Sequence, residues 1–296
     1  MAAHLQIIIF SWFIESYFAL TELSVMSKQE NISNSIPRVS CLMVTANRMR
    51  LAERAVNCFK NQTYPNKELV VIDDGKEDYS PLFRGIEPRD ITYVRIPRTS
   101  KLVLGTLRNI ALEYAQGNYL VQWDDDDWYH PQRIAFQAAY LDQGYDACCL
   151  SASLMHLDNH DFFSLPYIGY LPNGIPGSIM HRRSDSIRYP EFRRAEDTVY
   201  LRHWMKRRYA KLPEEHAGLF IRCFHGSNTW EEEHFTRRIR NSPVSWMNYM
   251  YHKFWKGDLS GHPRFRLPSN IRLAFEQYVD DSRSLDLFTA ISFQEV

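Results

Sequence analysis

This 296-residue chain has no surplus of either charge: Lys and Arg total 35, and so do Asp and Glu. A general nucleic-acid binder carries a basic excess, so that partner is discounted. It also lacks an apolar run that could span a bilayer, which takes about 20 residues. The nearest approach, LQIIIFSWFI at 5–14, is followed at once by Glu15. No Lys or Arg precedes that run, so it makes a poor signal peptide. Three readings of segment 1–36 stay open: a membrane-surface helix, a helix packed on the domain, or residues upstream of a start at Met26. The polar MSKQENISNSIPR that begins at Met26 favours the third. Cysteine is scarce, and Cys41, Cys58, Cys148, Cys149 and Cys223 show no metal-ligand spacing. They read as buried thiols of a reducing compartment. Internal repeats are absent. What remains is a globular protein of one large domain, with or without an appendage.

From Pro37 onward, short apolar runs alternate with helical periodicity. Strands are predicted at 39–44, 68–73, 91–96, 119–123 and 145–152. Helices are predicted at 48–60, at 105–116 before the Gly117-Asn118 stop signal, from Pro131 onward, and at 196–208. Alternation of this kind predicts an α/β fold with a mostly parallel sheet flanked by helices. Such sheets bind ligands at the carboxyl ends of their strands. The Pro/Gly-rich stretch within 153–190 is predicted to be loop, and 164–177 to be able to close over a ligand. Residues 231–296 read as a helical C-terminal extension.

Acidic residues follow two of the predicted strand ends. Asp73-Asp74 closes ELVVID, and Asp124-Asp125-Asp126-Asp127 closes YLVQW. Adjacent carboxylates repel, by about 1 kcal/mol per pair at 4 Å in water and more inside a protein, so a cation is expected beside them. In extended backbone Asp124 and Asp126 share a side, which suits a hard divalent ion such as Mg²⁺. Either Asp of the VIDDG turn could accept a hydrogen bond from a ribose or base. Arg108 sits in the first turn of its helix, against the usual dipole preference; a ligand or a neighbouring Asp would each explain it. Glu196 and Asp197 open a helix and offer a general base. His225 precedes a Gly turn and could serve as a further metal ligand.

Taken together, VSCLMVTANRMRLAERAVNCFKNQTYPNKELVVIDDG, LGTLRNIALEYAQGNYLVQWDDDDWYHPQRI and the later Glu-Asp pair resemble the family-2 glycosyltransferases of the GT-A fold. The resemblance covers residues 37–230, with a nucleotide half near 37–127 and an acceptor half near 128–230. It implies an inverting, metal-dependent hexosyltransferase moving sugar from a nucleoside-diphosphate sugar, UDP-linked above all. The acceptor would be a carbohydrate or lipid-linked saccharide of a bacterial polysaccharide. By resemblance, Thr45, Asn47, Arg48, Asp73, Asp74, Gly105, Arg108, Asp124 and Asp125 hold the nucleotide. Asp124, Asp126 and His225 hold Mn²⁺ or Mg²⁺, Asp127 and Trp128 face sugar, and Asp197 with Glu196 supplies the catalytic base. The implied location is cytoplasmic, with at most peripheral contact at the inner membrane face. VTANR departs from the family's usual Pro and aromatic, and Lys76 replaces its Ser after DDG. Two alternatives stand beside this reading. A nucleotidyltransferase of related fold would need an early Gly-rich triphosphate loop, and MVTANRMR has no glycine. An inactive nucleotide- or metal-binding module would leave Glu196-Asp197 idle.

Overall fold

Near-continuous burial along the β-rich runs, whose two faces are both covered, sets up the first sheet. The structure, a computed structural model, describes residues 36–97, 102–160, 162–226, 232–240 and 242–288. The N-terminal apolar run, the Met26 segment and Trp230 lie outside the described residues. Strands β1 (Val39–Thr45), β2 (Lys67–Asp73), β3 (Ile91–Arg95) and β4 (Tyr119–Gln122) lie where they were predicted. They form the parallel part of a seven-stranded sheet completed by β6 (Ala147–Leu150), β9 (Met180–Arg182) and β10 (Tyr209–Leu212). The order is β10-β6-β9-β4-β1-β2-β3, and β9 alone runs antiparallel to its neighbours. The two-residue period of a strand sends Cys41, Met43, Leu69, Val71 and Val121 to one core and Leu42, Val70, Ile72 and Leu120 to the other. Helix α1 (Met49–Lys60) covers the first face through Ala52, Ala55 and Phe59, and α2 (Leu104–Tyr114) covers the second through Leu107 and Ala111. Tyr114, at helical spacing from Leu107 and Ala111, is nevertheless exposed.

Several expectations fail where local pattern cannot see tertiary pairing. The single strand predicted at 145–152 is broken at Ser151. Its second part, β7 (Ala152–Leu157), joins a separate four-stranded sheet. That sheet runs β5 (Trp128–Tyr129), β11 (Phe220–Phe224), β7, β8 (Tyr167–Tyr170). The stretch 164–177 is therefore no free lid: β8 lies inside it, and Tyr167, Ile175, Pro176 and Gly177 are buried. Helix α3 (Arg133–Asp142) begins two residues beyond Pro131. Helix α4 (Glu196–Trp204) stops short of 208, where Trp204 stacks on His181 with centroids 4.4 Å apart and the chain turns into β10. Helices α5 (Glu232–Thr236), α6 (Pro243–Met250) and α7 (Ser269–Ser284) follow. Helix α7 packs on the domain: Ile271, Ala274, Tyr278 and Val279 enter the first core. All five cysteines are buried free thiols, as expected.

Two histidines are buried as neutral rings. His156 donates from Nε2 to Phe163 O at 2.9 Å and accepts from the Tyr278 hydroxyl at 2.8 Å. His181 donates from Nδ1 to Arg182 O at 2.8 Å and accepts from the Tyr200 hydroxyl at 2.9 Å. Burial pushes His156 down to about 3 and His181 down to about 4. The unfolded chain binds protons at these sites from about pH 6.5 downward, while the folded chain does not. Stability is therefore whole above pH 6.5 and is lost as pH falls toward 4. The expected loss between pH 7 and pH 5 is about 2–4 kcal/mol, read from urea midpoints. A His156→Gln variant should flatten that dependence; an unchanged slope would place the effect elsewhere.

Candidate active site

The acidic tetrad is the turn by which the chain leaves one sheet and enters the other. Strand β4 ends at Gln122, residues 125–127 turn, and β5 starts at Trp128. The carboxyl ends of β1 and β4 thus meet the second sheet, where β11 carries Arg222 and Cys223. Helix α4 supplies the third wall. Its N-terminus is held by a close backbone approach: a Cβ on Gly105 would lie 1.8 Å from Pro190 O. Gly105 also donates its N–H to Phe192 O at 3.1 Å. Glycine at 105 is thus explained by packing of α2 against 190–192, which brings 193–197 to the sheet edge.

The resulting cleft of about 740 Å³, counting its open mouth, is lined by all four tetrad acids, Glu196 and Asp197, together with Arg48, Arg108, Arg193, Arg194 and Arg222. Acids from opposite halves of the chain therefore share one cavity, but Asp73 and Asp74, which the strand-edge reading set beside the tetrad, are not in its lining. The expected cation is also there, but it is guanidinium. Arg48 bridges Asp125 at 2.5 Å and Asp126 at 2.8 Å. Arg108 bridges Asp124 at 2.8 Å and, through Nε, Glu196 at 3.0 Å. This answers the dipole anomaly: Arg108 stands at the start of α2 because two carboxylates wait there.

The tetrad divides by depth. Asp125 is turned inward, where the Thr45 hydroxyl donates to it at 2.7 Å. Burial, opposed by Arg48, pushes its carboxyl up to about 7. Asp127 is buried and accepts from Cys223 N at 3.3 Å; burial and the Asp126 charge raise its carboxyl. Asp126 goes the other way: burial would raise it, but the His225 hydrogen bond and Arg48 prevail and hold it below the usual carboxylate range. Asp124 and Asp126 reach the cleft on different arginines rather than as one matched pair. Among the described residues, no three His, Cys, Asp or Glu groups converge as a ready metal cage. Asp126 Oδ2 does lie 3.5 Å from His225 Nε2. Two donors about 2.1 Å from one cation sit about 3.0–3.4 Å apart, so this pair, whose Oδ2 is also held by Arg48, need close only slightly on a cation that keeps waters and phosphate as its other ligands.

The Glu-Asp pair is also split. Glu196 is 3% exposed and spent on Arg108; burial raises its carboxyl, with Arg108 opposing. Asp197 is half-buried at the cleft wall, where Thr198 N donates to Oδ1 at 2.6 Å. Of the two, Asp197 is the more exposed.

Other predicted residues lie apart from the cleft lining. Asp73 is buried, accepting from Gly75 N at 2.7 Å and the Tyr93 hydroxyl at 2.8 Å, with Arg95 at 3.3 Å. Asp74 is half-buried beside it, and burial followed by the Asp73 charge raises its carboxyl. Asn47 is exposed in a left-handed turn (φ 54°), accepting from Lys76 N at 2.8 Å. Trp128, expected to face sugar, is fully buried and donates to Asp281 at 2.8 Å, so it anchors α7 to the floor. Sequence reasoning missed Arg193, Arg194 and Arg222. The clue was available in RRAED, where two arginines directly precede the acid pair.

The Glycosyl transferase family 2 model matches residues 40–171. A glycosyl transferase named for colanic acid biosynthesis, WcaA of Escherichia coli (strain K12), is 34% identical over 111 residues, covering 36% of this chain and 39% of that protein. EpsE, named as a glycosyltransferase of Bacillus subtilis (strain 168), is 27% identical over 172 residues, covering 51% of this chain and 58% of that protein. The chain therefore spans well under two thirds of either relative. Among solved structures, S. aureus TarS 1-349 in complex with UDP-GlcNAc superposes with a TM-score of 0.51 at 17% identity, over 84% of this chain and 90% of that one. That likeness is one of fold. Residues 40–171, with most of β1, all of β2 and the tetrad turn among them, are thus similar to the family-2 glycosyltransferases, and the fold is that of the GT-A enzymes.

Proposed function

We propose that this protein transfers a sugar from a nucleoside-diphosphate sugar to an acceptor hydroxyl with inversion, in the assembly of a polysaccharide. The observation that carries the reading is the shared cleft: Asp197 and the Asp124–Asp126 turn face one cavity ringed by five arginines. Guanidinium groups pair phosphate oxygens in bidentate fashion, so Arg193, Arg194 and Arg222 suit a diphosphate at the mouth. Asp126 and His225, with Asp124 across the cleft, would hold Mn²⁺ or Mg²⁺. Such an ion supplies Lewis-acid neutralisation of the departing diphosphate.

Asp197 takes the proton from the acceptor O–H. The acceptor oxygen then bonds to the anomeric carbon from the face opposite the diphosphate. The bond from that carbon to the diphosphate oxygen breaks, and the electron pair leaves with the nucleoside diphosphate. A single displacement inverts the anomeric centre. Arg108 keeps Glu196 and Asp124 fixed on either side of the reacting group. UDP-GlcNAc, held by the S. aureus neighbour, is the donor to try first.

Calorimetry with UDP tests the site. UDP should bind at least about tenfold more tightly with Mn²⁺ than without, and Asp126→Asn should remove that increment. UDP binding indifferent to Mn²⁺ would remove the cation from the scheme. Uptake of Mn²⁺ with no UDP binding would favour the ion-binding module.

A further inference from the structure

Helix α6 and the helical turn that continues it, Tyr251–Trp255, wear their apolar face on the outside. Trp255 is 85% exposed, Phe254 70%, Val244 69% and Met247 65%, and Trp246, Met250 and Tyr251 are exposed beside them. At 100° per residue, Val244, Met247, Met250, Tyr251, Phe254 and Trp255 fall within an arc of about 140°. Tyr249 and His252, on the opposite side, are the buried ones. Tyr249 joins Ile239, Phe265 and Met155 in the small core under the second sheet, which fixes the helix to the body of the protein. A surface helix ordinarily turns its apolar stripe inward, and an exposed patch of this size marks an interaction site.

The charge pattern selects the partner. Arg240, Lys253, Lys256, Arg264 and Arg266 stand against the lone acid Asp258 in residues 239–266, within a chain of zero net charge. Lys253 Nζ lies 5.5 Å from the Tyr249 ring and 6.0 Å from Phe254, and Lys256 Nζ lies 5.6 Å from Tyr251. Their ammonium groups thus sit over aromatic rings beside the patch, with Lys253 Nζ also donating to the Tyr249 hydroxyl at 3.1 Å, and they set positive charge where a lipid headgroup layer would lie. Lysine is depleted from protein–protein interfaces, whereas Trp and Tyr flanked by Lys and Arg are characteristic of the bilayer boundary. We infer that residues 243–256 form a peripheral docking helix that lies in the headgroup layer of an anionic membrane. It inserts Trp255, Phe254, Met247 and Val244 while Lys253 and Lys256 meet lipid phosphates.

Co-sedimentation of the full chain with vesicles tests this. The chain should bind phosphatidylcholine vesicles carrying about one third phosphatidylglycerol, and bind pure phosphatidylcholine at least about fivefold more weakly. Phe254→Ser/Trp255→Ser should lower partitioning at least about tenfold with an unchanged melting temperature, since both side chains lie mostly in solvent. Lys253→Glu/Lys256→Glu should erase the preference for anionic vesicles. Failure of the parent to bind overturns the inference. So does binding that the Phe254/Trp255 change leaves intact, which would move the contact to another segment such as the apolar 5–14. A dimer in lipid-free buffer that the same change converts to monomer would show that a second copy covers this face.

Discussion

Asp197→Asn should lower transfer at least about a thousandfold while leaving UDP affinity within about twofold. The carboxamide has the shape of the carboxylate, and its oxygen can still accept from Thr198 N, which now bonds Oδ1 at 2.6 Å. What it cannot do is take a proton from the acceptor hydroxyl. General-base catalysis is worth about 10²–10⁴ in rate, and among the described residues no other half-exposed acid of α4 lines the cleft to replace it. The helix loses one favourable charge in its first turn, about 0.3–1 kcal/mol, too little to unfold the protein. The contrast with Glu196→Gln is the sharp part. Glu196 is buried on Arg108, so its loss should disturb stability and positioning, and lower turnover less than Asp197→Asn does. Single-turnover kinetics with UDP-GlcNAc, or whichever donor supports turnover, separates the two. If Asp197→Asn turns over normally and Glu196→Gln is dead with parental stability, the base is Glu196.

The edge of the sheet was legible because two of the buried parallel runs are closed by residues that cannot be buried without a partner. ELVVID and YLVQW ended in acids, and the strands carrying them are β2 and β4. Their fates differ for reasons no local pattern contains. Asp73 is satisfied by its own turn and by Tyr93, while Asp124 and Asp126 open into the cleft. The identity of the offsetting cation was also hidden. Repulsion among four carboxylates demands positive charge, but not its source, and Arg48 and Arg108 arrive from other elements. Alternation of side chains placed Asp124 and Asp126 together, yet the chain there is a turn, so the period of two did not apply. Strand β9 was missed because three residues carry no period; only their insertion between β4 and β6 makes them a strand. Trp128 looked like a sugar platform because aromatic rings serve both solvent and core, and sequence does not say which side of a two-residue strand faces in.

Arg108→Met should cost about 3 kcal/mol of stability and lower the melting temperature by about 5 °C. The reasoning starts from burial. The Arg108 side chain is 8% exposed, and its two partners, Glu196 at 4% and Asp124 at 23%, are held by one guanidinium. Methionine fills much of the volume but strands Glu196 as a buried, uncompensated carboxylate. Breaking a buried pair on one side costs about 3–5 kcal/mol, reduced here because Asp124 retains some water. Lysine should recover only part, since one ammonium cannot reproduce the two-sided grip of Nε and Nη2. The double variant Arg108→Met/Glu196→Gln should regain about 1–2 kcal/mol over the single one, because the stranded charge is gone. The pH dependence carries the same signature. Burial already raises the Glu196 carboxyl, with Arg108 opposing, and losing Arg108 raises it further. A folded state that binds the proton more tightly than the unfolded chain loses stability as pH rises. The difference between parent and Arg108→Met, in which the two buried histidines cancel, should therefore be larger at pH 8 than at pH 5. A difference that is flat with pH, or absent from the melting curves, would mean that Glu196 finds water or another partner once Arg108 is gone, and that the bridge across the cleft does not hold its walls.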